Sequence, residues 1–454
     1  MNYRRLLKRK LLLLFGDVLI VFLSIIFAYS VRFNLSFYRW KFSKYIYIWI
    51  ILSLVYVFCF YVFDQYNIRT RFSSNRSILL YLGSLVSVTL IITAIFYAFP
   101  FNIGRGIFFL SLVFTSVFSF VWRNIYLSVF SLAFPKRSVL LINGRGEEKE
   151  LSKRLKESHD YEIIGVLSDH SQEPEAGFPY LGKISDLPVV INNHRIDDIV
   201  TTLEPTSSDD LIHGLVMGKV KGISIYDFPT FYEILEEKLP VLKVNERWFL
   251  YSSGFDRLSD RLYRRFKRFL DFVISLGLLL ISLPFGLIIL IAIKIDSKGP
   301  VFYVQERLGK NEKPFRLLKF RTMKKNAENK EPKWAEVNDK RVTRVGRILR
   351  KTRLDELPQL INIFKGDMSV IGPRPEREFF IRKLEEEIPF YSLRFSVNPG
   401  LTGWAQVNYR YASSKEDALE KLKYELYYIK NMSFFLDIRI LLRTVRIILF
   451  GMGR

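Results

Sequence analysis

KRVTRVGRILRKTRLDELPQLINIFKGDMSVIGPRP, residues 340–375, joins a basic run, two adjacent carboxylates and a proline-rich turn. Within the basic run, Arg344, Arg347 and Lys351 recur at helical spacing, which predicts a helix with one cationic face. The other cations that precede the carboxylates are Lys340, Arg341, Arg350 and Arg353.

The two carboxylates, Asp355 and Glu356, come directly before Leu357 and Pro358. Because proline is favoured in the first turn of a helix, this order predicts that a new helix begins near Asp355. A positive helix end and neighbouring cations keep such a carboxylate ionised and also attract phosphate. The pattern indicates a candidate nucleophile for phosphoryl transfer, although spacing alone favours a helix cap on a solvated basic helix.

The composition favours a membrane protein. Apolar residues make up 49% of the 454 residues and aromatic residues 15%, and the formal net charge is +23. Such a charge suits nucleic acid, anionic lipid or phosphorylated small molecules as partners. The single cysteine, Cys59, excludes an intrachain disulfide and a cysteine zinc site, and the four histidines are too scattered to form a metal-ligand cluster.

Residues 1–135 are predicted to form a bundle of four transmembrane helices, since each apolar run is close to the length that a bilayer requires. Basic residues at the N-terminus, in the second loop and after the fourth run favour a cytoplasmic N-terminus. Asp17 is the one acidic residue within the runs, so we expect an anchor rather than a transport path. The runs are Leu11–Val31, Tyr45–Phe63, Ile78–Phe99 and Ile107–Val121.

Residues 136–245 are predicted to form a Rossmann-like α/β domain, because strand-like and helical stretches alternate. Gly144 and Gly146 match the first two glycines of a dinucleotide fingerprint, but Lys149 occupies the third position. A structural or regulatory domain is therefore favoured over a bound nucleotide. The predicted strands are Ser138–Ile142, Ile163–Leu167, Asp198–Leu203, Ile223–Tyr226 and Val241–Val244.

A connector, residues 246–266, leads into a fifth apolar run, Phe269–Ile293. Basic residues flank this run on both sides, which favours both ends lying on the cytoplasmic side. Pro284 interrupts the run and should kink the helix. We expect a re-entrant helix over residues 267–294, within a catalytic region of residues 267–454; a fifth crossing is the alternative.

Several short motifs in residues 267–454 are suited to phosphate recognition. Two predicted strands present Arg307, Lys319 and Arg321, which suit a pyrophosphate. Gly372-Pro373-Arg374-Pro375 predicts a rigid turn around one arginine, and Asn398–Trp404 predicts a loop that allows close backbone approach. The tail, Phe434–Phe450, has the pattern of an amphipathic basic helix that lies in the membrane interface or packs on the domain.

Together these motifs resemble the bacterial sugar transferase family, the monotopic phosphoglycosyl transferases, from about Tyr263 onward. The whole chain is similar to the long form of that family, which includes undecaprenyl-phosphate glucose and galactose phosphotransferases. One departure is Leu283, which separates Ser282 from Pro284. The matching motifs are Lys294–Pro300, Lys319–Met323, Asp355–Gln359, Gly372–Pro375 and Pro399–Val407.

This resemblance implies transfer of a sugar-1-phosphate from a UDP-sugar to undecaprenyl phosphate with release of UMP, at the cytoplasmic face of a bacterial inner membrane. It implies Mg²⁺, a phosphosugar intermediate on Asp355, and a helper role for Glu356, with both carboxylates as candidate metal ligands. Candidate substrate-binding residues are Arg307, Lys319, Arg321, Arg353, Arg374 and Gln406, and candidate structural residues are Pro284, Pro373 and Pro375.

The fold class that we expect is a multi-domain membrane protein with a four-helix transmembrane bundle, a Rossmann-like α/β domain and a mixed α/β catalytic domain carrying a re-entrant membrane helix. Alternative functions are a membrane-anchored nucleotide-sugar oxidoreductase and a non-catalytic scaffold for polysaccharide assembly. Nucleic-acid binding ranks last, because the positive charge clusters around membrane segments. The sequence leaves open which sugar is transferred and whether the chain forms a homodimer.

Overall fold

The computed structural model describes residues 2–32, 42–66, 75–98, 105–133, 136–143, 151, 154–155, 160–169, 178–203, 209–324, 341–409 and 414–450. Lys340 and the fingerprint positions Gly144, Gly146 and Lys149 lie outside the described residues. The chain divides into two compact units, Met1–Phe231 and Tyr232–Arg454. The finer division into three domains and a connector stays a prediction.

The first unit begins with four apolar helices, as the sequence predicts: α1 (Asn2–Arg32), α2 (Phe42–Val62), α3 (Asn75–Ala98) and α4 (Arg105–Ala133). The described parts of α1, α3 and α4 are long and apolar enough to cross a membrane, and α2 contributes a shorter apolar stretch, Ile48–Val62.

A buried ion pair joins the first and last of these helices. Arg123 donates from both terminal nitrogens to Asp17, at 2.7 and 3.1 Å, and both residues are almost fully buried. The sequence did not indicate this partner, because the apolar run ends at Val121 whereas helix α4 continues to Ala133. Breaking such a pair would leave an uncompensated buried charge, so the contact fixes which helices neighbour each other.

The rest of the first unit is an α/β domain with a five-stranded parallel sheet in the order β3-β2-β1-β4-β5. Its core is built from buried aliphatic side chains of the strands and of the helices beside them. The predicted parallel sheet is thus present, and a short strand β3 is additional. The strands are β1 (Arg137–Asn143), β2 (Tyr161–Ser168), β3 (Tyr180–Gly182), β4 (Asp198–Thr201) and β5 (Ser224–Asp227), and the helices are α5 (Leu187–Asn193) and α6 (Asp209–Val220).

The predicted strand Val241–Val244 is wrong. Val241–Lys243 forms a 3₁₀ turn, held by local hydrogen bonds such as Lys243 N–H to the Pro240 carbonyl. The turn follows helix α7 (Phe228–Glu236), which spans the boundary between the units. Because Pro240 lacks an N–H and Val241 is fully buried, this segment packs as a turn rather than pairing in a sheet.

The segment after α7 packs into the core of the second unit. Leu239 and Val241 are fully buried in one cluster with Leu422 and Leu426, and the N–H of Leu239 donates to the Lys423 carbonyl. Residues that the sequence suggests as the end of the α/β domain therefore complete the C-terminal core.

The second unit continues through two short helices, α8 (Glu246–Tyr251) and α9 (Asp256–Ser259), into a 36-residue helix, α10 (Arg261–Asp296). Beyond it lie the antiparallel strands β6 (Phe302–Leu308) and β7 (Pro314–Phe320), and the parallel pair β8 (Ser369–Ile371) and β9 (Gly400–Thr402). The remaining helices are α11 (Arg344–Thr352), α12 (Gln359–Lys365), α13 (Glu378–Glu387), α14 (Trp404–Asn408), α15 (Lys415–Lys430) and α16 (Phe434–Leu449).

Helix α10 is anchored to its unit near both ends. In its first half, Asp271 is buried and accepts hydrogen bonds from Ser369 and from the N–H of Val370. At its C-terminal end, Ile293 is buried and Asp296 accepts from the N–H of Val345. In the middle of the helix, six apolar side chains are exposed: Leu280, Ile281, Leu283, Phe285, Leu287 and Ile288.

Pro284 lies inside α10, which continues on both sides of it. A 36-residue helix is about 54 Å long, more than the roughly 30 Å of a bilayer's hydrocarbon core. Length and composition alone therefore make α10 a further candidate span.

Because Leu239 is buried in the core of the second unit, we expect that truncating its side chain lowers the stability of that unit alone. Leu239→Ala should cost about 2–5 kcal/mol, because it removes a fully buried side chain from a packed core. Hydrogen exchange of the α15 amides in the full-length protein should therefore accelerate. Leu242→Ala is the matched control, since Leu242 is 61% exposed and its loss should cost little. Equal effects of the two substitutions would contradict this packing.

Candidate active site

The two adjacent carboxylates lie in a turn between two helices. Helix α11 ends at Thr352, Arg353 adopts a left-handed conformation with φ of 58°, and Leu354–Glu356 forms a 3₁₀ turn. The next helix, α12, begins at Gln359 after Pro358. A 3₁₀ helix thus begins next to Asp355, near the predicted helix start, whereas the α-helix begins four residues after Asp355 because the 3₁₀ turn comes first.

Glu356 is the most heavily paired residue of this turn. Its Oε1 lies 2.7 Å from an Arg374 terminal nitrogen and 3.7 Å from Lys319 Nζ, and its Oε2 lies 3.9 Å from Arg353. Glu356 is 8% exposed. Burial would raise the pKa of Glu356, but Arg374, Lys319 and Arg353 outweigh burial and lower that pKa to about 2. Glu356 is therefore held as an anion.

The pKa values of Lys319 and Arg374, two of the cations around Glu356, shift in opposite directions. Burial lowers the pKa of Lys319 to about 8, although Glu356 opposes this shift. Glu356 raises the pKa of Arg374. Lys319 comes from strand β7 and Arg374 from the loop after β8, so residues distant in sequence converge on one carboxylate.

Asp355 differs from Glu356 in both contacts and ionisation. Burial, together with the charge of Glu356, raises the pKa of Asp355 despite Lys319 and Arg374. No hydrogen bond or ion pair to Asp355 occurs among the described residues. The expectation that neighbouring cations keep this carboxylate ionised therefore fits Glu356 better than Asp355.

The loop Gly372–Pro375 carries Arg374 and pairs with the second Gly/Pro-rich loop. The N–H of Gly372 donates to the Thr402 carbonyl, and the N–H of Gly400 donates to the Pro373 carbonyl. A Cβ on Gly400 would lie 2.0 Å from the Gly372 nitrogen, so only glycine permits this approach. The two predicted loops therefore form one rigid support for Arg374.

Arg307 contacts the same support rather than the dyad. It donates to the Pro375 carbonyl at 3.3 Å and to Gln305 at 2.6 Å, and lies 3.6 Å from Glu376. Burial lowers the pKa of Arg307 to about 10.

Two other predicted site residues lie apart from the Glu356 cluster. Arg321 is buried and donates to the carbonyl and the hydroxyl of Ser297, at the C-terminal end of α10. Gln406 donates to the Leu401 carbonyl within the second loop. The structure therefore brings Lys319, Arg353 and Arg374 to Glu356, whereas Arg321 and Gln406 bond elsewhere.

Sequence reasoning did not select Arg350 as a site residue. Arg350 donates to the Thr322 hydroxyl at 2.8 Å. Its positive charge lowers the pKa of Asp355, although burial and Glu356 raise that pKa overall. The only available signal was its place one helical turn before the dyad, which the exposed cations Arg344, Arg347 and Lys351 obscured.

The C-terminal region matches a family model. Residues 262–451 match the model described as bacterial sugar transferase, and residues 61–226 match one described as CoA-binding domain. The first match contains the dyad, Arg374 and all the other candidate site residues.

Relatives of known name agree with this match. An Aeromonas hydrophila UDP-N-acetylgalactosamine-undecaprenyl-phosphate N-acetylgalactosaminephosphotransferase is 44% identical over 196 residues, 43% of this chain and 46% of the relative. A UDP-glucose:undecaprenyl-phosphate glucose-1-phosphate transferase of Escherichia coli (strain K12) is 34% identical, over 63% of this chain and 61% of the relative. A protein of the same name from Caulobacter vibrioides is 40% identical, over 39% of this chain and 68% of the relative.

The chain belongs to the bacterial sugar transferase family. It spans about half the length of the Aeromonas relative and about three fifths of the Escherichia relative.

The pKa of Lys319 predicts how anion binding depends on pH. Lys319 is cationic below about pH 8 and neutral above it, so it should stop attracting an anion as the pH rises through that value. Binding of inorganic pyrophosphate, measured by calorimetry from pH 7 to 9, should weaken relative to Lys319→Arg, whose guanidinium stays charged. Parallel pH profiles for the two proteins would show that Lys319 does not titrate in this range.

Proposed function

We propose that this protein transfers a sugar-1-phosphate from a UDP-sugar to undecaprenyl phosphate and releases UMP, as the first membrane step of exopolysaccharide, capsule or O-antigen synthesis. The observation that carries this proposal is the buried Glu356 held by Lys319, Arg353 and Arg374, next to Asp355, which has no hydrogen bond or ion pair within the described part of the chain. The names of the relatives support the substrate classes.

Asp355 is the proposed nucleophile. One carboxylate oxygen forms a bond to the β-phosphorus of the donor, and the bond from that phosphorus to the bridging oxygen breaks, so that UMP leaves with the bond's electron pair. An oxygen of the lipid phosphate then attacks the same phosphorus and displaces Asp355. A carboxylate without competing contacts is suited to this role, because no existing hydrogen bond or ion pair must first be broken.

The cations around Glu356 would bind the donor's phosphates. Arg374 and Arg353 offer forked donors and Lys319 a single charge, in a setting where burial strengthens electrostatic attraction. Such groups stabilise charge that accumulates on the transferring phosphoryl group. Glu356 would keep these cations in place and is the proposed helper of Asp355.

Mg²⁺ fits this site as an ion whose ligands come from both the protein and the substrate. No group of three or more His, Cys, Asp or Glu side chains suited to a metal occurs in the part of the chain that the structure describes. Mg²⁺ is, however, usually held by one or two carboxylates together with substrate phosphates, and Asp355 and Glu356 supply two carboxylates. The ion would neutralise charge on the diphosphate.

We also propose that α10 is re-entrant and that the site lies at the cytoplasmic face of the inner membrane. The anchors at Asp271 and Asp296 support this topology, because both contact the same polar unit. A straight crossing would place parts of that unit on opposite sides of the bilayer. The exposed apolar side chains between the anchors would then enter one leaflet.

Trapping the covalent intermediate tests the mechanism. Wild-type protein with UDP-sugar and Mg²⁺ but no lipid acceptor should gain one sugar-phosphate, mapped to Asp355 by mass spectrometry after rapid quenching. Asp355→Asn should gain none and should lose several orders of magnitude in turnover, because it removes the nucleophile. Asp367→Asn is a control outside the dyad. If no adduct forms and the kinetics require both substrates together, Asp355 acts as a base or ligand instead.

Single cysteines test the topology. In a Cys59→Ser background, Arg265→Cys and Lys298→Cys lie at exposed positions near the two ends of α10. Both should react with a membrane-impermeant reagent only from the cytoplasmic side, whereas Asn34→Cys, in the first predicted external loop, should react from outside. External labelling of Lys298→Cys would instead establish a crossing.

A further inference from the structure

We propose that Arg394 is a positioning residue, which holds the backbone of Arg374 so that the Arg374 guanidinium reaches Glu356. Arg394 lies in a 3₁₀ turn, Tyr391–Ser396, and is 5% exposed. One terminal nitrogen donates to the Arg374 carbonyl at 2.8 Å. The inference rests on the proposed function for its catalytic consequence, but its structural part does not.

The loop around Arg374 has few backbone donors of its own. Pro373 and Pro375 lack an N–H, so the loop depends on donors from elsewhere to satisfy its carbonyls. Arg394 supplies a donor to the Arg374 carbonyl, and Arg307 supplies one to the Pro375 carbonyl. A buried carbonyl that lost its donor would be costly, so the loop would shift to find another.

Arg394 is itself fixed by two further contacts. The nitrogen that donates to Arg374 also lies 2.9 Å from Glu425 of helix α15, and the other terminal nitrogen donates to the Tyr391 hydroxyl at 2.6 Å. Glu425 is buried, so the pair resists rearrangement. A rigid path thus runs from α15 through Arg394 and the Arg374 backbone to the carboxylate of Glu356.

A purely structural role is the competing explanation, because any buried ion pair stabilises its surroundings once formed. The two roles differ in whether the effect of Arg394 depends on the Arg374 side chain. A positioning residue loses its effect when the Arg374 side chain is removed, whereas a structural residue does not. A double-mutant cycle measures this difference.

The cycle compares Arg394→Gln in the wild-type and Arg374→Gln backgrounds, in the full-length protein, by UMP release. In the wild-type background kcat/KM should fall on the order of 10–100-fold, because a misplaced charged group loses much of its catalytic effect. In the Arg374→Gln background the further loss should be below about threefold. Arg394→Lys keeps one donor and the charge, so it should recover part of the loss and also serves if Arg394→Gln does not fold.

Lys430→Gln is the matched control. Lys430 is also buried and pairs with Glu233 at 2.6 Å, and among the described residues it forms no hydrogen bond or ion pair with the Arg374 loop. Its effect on UMP release should be the same in both backgrounds. An undiminished loss from Arg394→Gln in the Arg374→Gln background would overturn the proposal.

A second measurement needs no substrate. If Arg394→Gln releases the Arg374 carbonyl, the loop Gly372–Pro375 shifts away from its partner loop. Hydrogen exchange of the Gly372 and Gly400 amides, which donate to the Thr402 and Pro373 carbonyls, should then accelerate in the full-length protein.

Lys430→Gln should leave the exchange of these two amides close to that of the wild-type protein. Equal exchange rates in Arg394→Gln and Lys430→Gln would overturn the proposal. Faster exchange in Arg394→Gln alone, in a protein without any transferase activity, would retain the Arg394 inference while rejecting the proposed function.

Discussion

The buried carboxylate of Glu356 is the interaction on which the second unit's site depends. Its partners arrive from three places: Lys319 from strand β7, Arg353 from the turn itself and Arg374 from the loop after β8. A buried anion of this kind is costly unless each partner is in place. The carboxylate therefore fixes the relative positions of a strand, a turn and a loop, and it brings together the cations for which we propose a role in phosphate binding.

The C-terminal end of helix α10 contacts the elements that carry this cluster. Arg321, two residues after Lys319, donates to Ser297, and Asp296 accepts from the first turn of α11, the helix that leads to the dyad. Between Lys319 and Arg321, at the end of strand β7, Phe320 packs with Ile289 and Ile293 of the helix. Any displacement of the helix end would consequently move both elements that carry the site.

Much of this arrangement could be predicted from local sequence. The apolar runs, the alternation in the α/β domain and the cationic helix before Asp355 are periodic signals, and the structure contains the corresponding elements. The errors share a cause: contacts distant in sequence decided the outcome. Val241 turns because it packs with Leu422, and Asp17 has a partner 106 residues away in Arg123.

The same cause explains which site residues sequence could find. Lys319 and Arg374 belong to short, recognisable motifs, whereas Arg394 stands alone in an ordinary turn and acts through a backbone carbonyl. Nothing in its own neighbourhood distinguishes it from a surface arginine. Only the tertiary structure shows that it is buried and bonded to the loop that carries Arg374.

Two adjacent carboxylates can have different roles here because they lie in a 3₁₀ turn. With about three residues per turn, neighbours are separated by roughly 120° around the axis. One side chain can then be enclosed by cations while the next remains partly exposed, as Glu356 and Asp355 are. Their pKa shifts follow: the cations lower the pKa of Glu356, and burial beside an anion raises the pKa of Asp355. The enclosed residue holds the surrounding cations together, whereas the partly exposed one has the freedom that the proposed nucleophile requires.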